Sequence, residues 1–154
     1  MFSFLGNFSY TVDSKGRINI PADFRHQVTG TASYVLFPGL ERCIYVLPEE
    51  EWERIHQRLQ SPFSSGAKER LLQRRMYGEA ARRFCDEQGR IPVPSKLLEH
   101  AGITREVLVL GVSNRIEFWN PTEYQTYLNQ SPLSYEQLAE ELMKPPSPSN
   151  GVGS

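Results

Sequence analysis

Asp13-Ser14-Lys15-Gly16-Arg17-Ile18-Asn19-Ile20-Pro21 returns further along the chain as Asp86-Glu87-Gln88-Gly89-Arg90-Ile91-Pro92-Val93-Pro94, an offset of 73 residues from Asp13 to Asp86. The register then holds without a gap for about forty residues. Tyr34-Val35-Leu36 falls on Val107-Leu108-Val109, Arg42 on Arg115, Tyr45 on Phe118, Pro48 on Pro121 and Glu50 on Glu123. Apolar runs, a basic residue and a helix-starting proline all in step mark an internal duplication.

Each copy predicts the same elements. Asn7 to Val12 and Arg83 to Cys85 lead as short strands into a turn, and Ile18-Asn19-Ile20 alternates as a half-buried strand does. Pro21 and Pro94 suit the first position of a helix, with Phe24 and Val28, then Leu97, Leu98 and Ala101, at helical spacing and Gly30 and Gly102 as stops. Two strands follow, Tyr34–Phe37 and Cys43–Leu47, matched by Val107–Leu110 and Ile116–Trp119. Pro48 opens an acid-rich helix with Trp52, Ile55 and Leu59 on one stripe, and Asn120-Pro121-Thr122-Glu123 starts its counterpart. Ser61 to Gly66 breaks the chain before a helix at about Ala67 to Tyr77, whose Lys68, Arg70, Arg74 and Arg75 spread around much of the cylinder. Ser134 and Gln137 form a capping box for a helix with Leu138 and Leu142 on one face.

The 154 residues carry 17 Lys and Arg against 18 Asp and Glu, a net charge of −1, with 39% apolar residues. Near-neutrality excludes coating of a polyanion by bulk charge, so a nucleic-acid site must be a local patch. No apolar run is long enough to span a bilayer, and Met1 to Gly6 lacks the basic flank of a signal peptide. Cys43 and Cys85 have neither a disulfide framework nor metal-ligand spacing. The expectation is a soluble cytoplasmic protein with no cofactor, no metal, no membrane contact and no small-molecule substrate.

In Asp-x-x-Gly-Arg the roles separate. Asp13 and Asp86 can accept backbone N–H groups across the turn, while Gly16 and Gly89 can take positive φ. Arg17 and Arg90 can fold back on the aspartate or project outward, and a guanidinium held by one oxygen keeps donors for a phosphate or a guanine edge. Each copy is too small to bury a core alone, so the halves must pack on each other or on other chains. The result is a pseudo-two-fold unit with two exposed loops. Lys15 and Arg17 against Asp13 make the first loop +1; Asp86 and Glu87 against Arg90 make the second −1, with Arg82 and Arg83 either restoring positive potential or spent on assembly. The first loop is therefore expected to make the stronger contacts.

These two loops resemble the paired Asp-x-x-x-Arg motifs of the MraZ family, bacterial transcription regulators built from two SpoVT/AbrB-like domains. Tyr77-Gly78-Glu79-Ala80, Leu97 to Ile103 and Ile116-Glu117-Phe118-Trp119 are similar to the family at the expected places. The resemblance implies an α+β fold of tandem SpoVT/AbrB-like swapped-hairpin β-barrel repeats. Its parts would be repeats at 7–54 and 83–126, a helical linker at 55–82, a C-terminal helical segment at 127–144 and a disordered tail at 145–154. It also implies a ring-shaped homo-oligomer at the nucleoid, binding direct repeats in double-stranded promoter DNA of the division and cell-wall operon that holds its own gene. Carried onto this sequence, the DNA-binding residues are Lys15, Arg17 and Arg90, with Asp13, Gly16, Asp86 and Gly89 orienting the loops. Several identical loops on a closed assembly raise effective concentration, and sites near one helical turn apart present the same groove face to successive subunits.

Other functions fit less well. An aspartic-protease dyad wants Asp-Thr/Ser-Gly, and here Lys15 or Glu87-Gln88 intervenes. His26, His56 and His100 share no helical spacing, Cys85 reads as strand filler, and no phosphate-binding glycine loop precedes a Lys-Ser/Thr pair. The protein is not expected to be an enzyme. Trp119, Tyr124 and Tyr127 read as packing residues rather than base-stacking ones. The alternative is an AbrB-type, antitoxin-like interaction module acting mainly through protein partners.

Overall fold

The computed structural model describes residues 1–30, 32–59 and 66–144. Two compact units are present, Met1–Tyr124 and Gln125–Ser154. The first holds β1 (Phe4–Thr11), β2 (Arg17–Asn19), α1 (Ala22–Arg25), β3 (Ser33–Pro38), β4 (Ile44–Pro48), α2 (Glu49–Leu59), α3 (Ala67–Glu79), β5 (Ala81–Phe84), β6 (Arg90–Pro92), α4 (Ser95–Ala101), β7 (Glu106–Ser113) and β8 (Arg115–Trp119). α5 (Pro121–Asn129) carries the chain onward, and α6 (Tyr135–Leu142) lies in the second unit. The expected tail, and the expected break from Ser61 to Ser65, lie outside the described residues.

The fold is α+β, and its strands exchange between the halves. Six strands form one antiparallel sheet in the order β1-β7-β8-β4-β3-β5, while β2 and β6 form a separate ribbon. Exchanging the halves turns that order into its own reverse. Residue register obeys the same rule: Ser9 pairs with Leu108 and Val35 with Arg82, one pair and its copy at the offset of 73. Ile18 faces Ile91, its own counterpart, so the pseudo-dyad runs through the middle of the ribbon. It also runs between β4 and β8, where Ile44 faces Phe118 and Tyr45 faces Glu117. The first strand of each half thus completes the sheet of the other, which is how two copies too small for separate cores share one.

Alternation decides what is buried. Phe4, Tyr34, Leu36, Val46, Val109, Ile116 and Phe118 point from the sheet into a core closed by Ile18 and Ile91 of the ribbon and by Phe24, Leu97 and Ala101 of the helices. On the outer face Val35, Phe37 and Leu47 pack under Trp52, with Met76 and Tyr77 of α3 beside them. The buried Glu117 accepts the Arg115 Nε–H at 2.7 Å and the Trp119 indole N–H at 2.8 Å. Trp119 also stacks edge-on to Tyr124, so both rings serve packing.

Helix ends differ from expectation by small amounts. Pro21 and Pro94 stand at N-caps, one position before the helix. α1 stops after four residues because Gln27 and Val28 donate to Phe24 and Arg25 in tighter three-residue turns, so Gly30 does not end it. Gly102 does end α4, in the left-handed region. Asn120 caps α5 through the N–H groups of Thr122 and Glu123, and Ser134 with Gln137 caps α6 reciprocally.

Candidate nucleic-acid interface

The sequence dictates each loop locally. Asp13 Oδ1 accepts the backbone N–H groups of Lys15 and Arg17, both at 2.9 Å, and Oδ2 accepts Arg17 Nε–H at 2.7 Å. Asp86 repeats this with Gln88 and Arg90 at 2.9 Å and with Arg90 Nε at 3.0 Å. Gly16 and Gly89 take φ of 75° and 80°, which lets their N–H groups turn back to the aspartate carbonyls. The ribbon then binds loop to loop: Ile20 N–H donates to Gly89 O and Val93 N–H to Gly16 O.

Because the ribbon lies on the pseudo-dyad, the two loops meet. Arg17 Nη1 stands 3.7 Å from Asp86 Oδ2, and Arg90 Nη1 stands 3.5 Å from Asp13 Oδ2. Two carboxylates and two guanidiniums therefore form one alternating ring of charge, with all four side chains between 25% and 34% exposed. Lys15 and Glu87 flank it from the exposed turns. Sequence spacing showed two loops; it gave no hint that they share a site. Among the described residues Nη2 of neither arginine donates a hydrogen bond, so each guanidinium keeps one edge available.

The carboxyls titrate accordingly. The backbone N–H of Arg17, ahead of its guanidinium, holds Asp13 well below its ordinary 3.8, at about 2. The N–H of Arg90 lowers Asp86 in the same way. A shared-proton catalytic dyad needs one carboxyl raised, and here both are lowered. Between the two pKa values the unfolded chain holds more protons, so stability rises with pH. The stabilisation from Asp13 is present above about pH 4 and is lost as pH falls through about 2. Asp13→Asn is expected to lower the urea midpoint at pH 7, and the difference from wild type should shrink below about pH 4 and vanish only below about pH 2. A difference constant across that range would show that the carboxylate charge does not matter.

One cation escaped the sequence reading. Arg25 lies against the second loop: a Cβ on Gly89 would come within 2.6 Å of its Nε, which is fixed by a 3.0 Å bond to Ile20 O. The same place under the first loop is filled by Leu98, near Gly16 and at the repeat offset from Arg25. The signal was present as a break in the repetition, a cation facing a leucine. Arg25 thus supplies the second loop with positive charge that Arg82 does not, since Arg82 forms a forked pair with Glu49 at 2.6–3.0 Å. The remaining candidates lie elsewhere: His56 contacts Tyr77, His100 contacts the Glu41 carbonyl, and Cys43 and Cys85 are free thiols whose burial raises their pKa. Among the described residues no cluster of His, Cys, Asp or Glu could hold a metal, and no helix is long and apolar enough to cross a membrane.

A family model described as "MraZ protein, putative antitoxin-like" matches residues 3–75 and again 76–144, one match per repeat. The chain belongs to the MraZ family. Proteins named "Transcriptional regulator MraZ" from Syntrophomonas wolfei subsp. wolfei, Desulforamulus reducens and Pediococcus pentosaceus are 38%, 37% and 35% identical over 140 residues. Each alignment covers 91% of this chain and 96%, 97% and 96% of the relative. The names describe MraZ proteins as regulators of transcription, a role other than catalysis.

Proposed function

We propose that this chain is a sequence-specific transcription regulator that binds double-stranded promoter DNA through Lys15, Arg17 and Arg90, with Asp13, Gly16, Asp86 and Gly89 holding the loops in place. In this reading the repeats at 7–54 and 83–126 form one DNA-reading unit. A ring-shaped homo-oligomer of such units, at the nucleoid, engages direct repeats ahead of the division and cell-wall operon that holds its own gene.

The observation that supports this is the pair of guanidiniums side by side on the dyad, each anchored through Nε with an edge left over. Anchoring removes rotamer freedom before DNA arrives, which lowers the cost of forming a directed contact. The cations Lys15, Arg17, Arg25 and Arg90 stand against the carboxylates Asp13, Asp86 and Glu87, so one site has little net charge. Affinity must then come from several sites acting together on a repeated sequence.

The test is an anisotropy titration on the DNA upstream of the gene over a salt series. Log K should fall linearly with log salt, steeply enough to count several phosphates, about 0.9 per contact. No binding at low salt would defeat the proposal. Arg25→Leu should keep the fold, since Leu98 occupies the matching place, while weakening binding several-fold and flattening the slope by about one per engaged site. An unchanged slope would remove Arg25 from the interface.

A further inference from the structure

α3 in the first unit and α6 in the second each expose apolar side chains, and the charges around them are opposite. In α3 the side turned inward carries Arg70, Gln73, Met76 and Tyr77, all partly buried. At 100° per residue the other side gathers Lys68, Leu71, Leu72, Arg74 and Arg75, with Glu79 at the helix end, all exposed, so the face keeps a net charge of +2. Three of the four cations that looked scattered around the cylinder thus share one face, with two leucines among them. Lys68, Arg74 and Arg75 have no ion pair among the described residues.

The C-terminal unit carries the converse. Tyr135, Leu138, Leu142 and Met143 form an apolar stripe along α6, and Tyr135, Leu142 and Met143 are each about four-fifths exposed. Glu136 and Glu140 border the stripe on one side and Glu141 on the other, again without ion pairs among the described residues. Between α6 and the end of α5 runs a groove of 680 Å³ lined by Tyr127, Leu128, Leu133, Tyr135 and Leu138.

We propose that the groove and acidic borders of α6 in one copy receive the outward face of α3 in a second copy. Leu71 and Leu72 fill the apolar groove, while the stems of Lys68, Arg74 and Arg75 cover the stripe and their heads reach the bordering glutamates. Opposite charge on two uncovered apolar surfaces of the same chain favours a second copy over an unrelated partner. The two surfaces differ, so the contact is head-to-tail, and repeated head-to-tail contacts close into a ring. The proposal rests on the oligomer reading above and assigns the residues that build it.

The test uses two charge-reversed full-length chains, Arg74→Glu with Arg75→Glu, and Glu136→Lys with Glu141→Lys, sized by sedimentation velocity. All four positions are exposed, and circular dichroism checks that the fold is kept. Each variant alone should lose the oligomer, since like charges then face each other. An equimolar mixture should recover it, because every junction between unlike copies is again complementary. If wild type assembles and both variants assemble equally well, this interface is wrong and the ring reading stands. If wild type is a monomer, the ring reading fails with it. If all four changes in one chain restore wild-type behaviour but the mixture does not, α6 closes on its own chain and the proposal is overturned.

Discussion

Arg17→Ala is expected to abolish measurable promoter binding, a loss of at least a hundredfold. A directed arginine contact carries about 1–3 kcal/mol of DNA recognition, and a repeated site sums that loss over every engaged subunit. Removing the guanidinium also strips Asp13 of its 2.7 Å partner and leaves Asp86 with Arg90 alone. Two poorly neutralised carboxylates would then face phosphates. Arg90→Ala should cost less, because Asp86 and Glu87 already make its loop acidic and Arg25 remains against Gly89. Arg17→Lys should recover only part of the affinity, since an ammonium cannot hold Asp13 through one edge and present a planar fork with the other. Titrations of the three variants, each checked for oligomer size, decide the matter. Equal losses for Arg17 and Arg90 would reject the asymmetry, and wild-type affinity for Arg17→Ala would reject the site.

Phe118→Ala should destabilise the protein by about 3–5 kcal/mol, or roughly 10 °C in melting temperature. Phe118 is fully buried, and its strand pairs with the other half at the pseudo-dyad, opposite Ile44. A cavity there is felt by both repeats. Single-domain stabilities of about 5–15 kcal/mol leave little reserve after such a loss. The exchanged strands add a second expectation, that neither half unfolds first. Trp52 and Trp119 sit in different halves, so Trp52→Phe and Trp119→Phe leave one reporter each. Within each variant the urea curves by tryptophan fluorescence and by circular dichroism should share one midpoint. A fluorescence midpoint displaced from the dichroism midpoint of the same chain would mean that the repeats are separable.

Much of this architecture was legible because duplication constrains a sequence twice. The turn Asp-x-x-Gly-Arg appears as read, with the aspartates accepting backbone N–H groups and the glycines at positive φ. Alternation in Ile18-Asn19-Ile20 gave the buried face correctly, and the unbroken apolar run Tyr34-Val35-Leu36 is a strand buried on both sides. What alternation does not encode is the partner of a strand. Nothing in Asn7-Phe8-Ser9 says that it pairs with Leu108 to Leu110 rather than with its own half, since period two specifies a face and not a neighbour. The shared site was hidden for the same reason: Arg17 and Asp86 are brought together only by the β2–β6 ribbon. Arg82 was open to either role and is tied to Glu49. Arg25 was passed over because one helical cation among many looks like solvated surface until its neighbour is known.

The exchange of strands also has a cost in time. β1 leaves the ribosome about a hundred residues before the β7 that pairs with it. At about 5–20 residues per second the nascent chain spends roughly 5–20 s with that strand's amides unanswered. During that interval β1 can join the same strand's natural mate on a neighbouring polypeptide, so polysomes translating this message at high density are where intertwined chains would first arise.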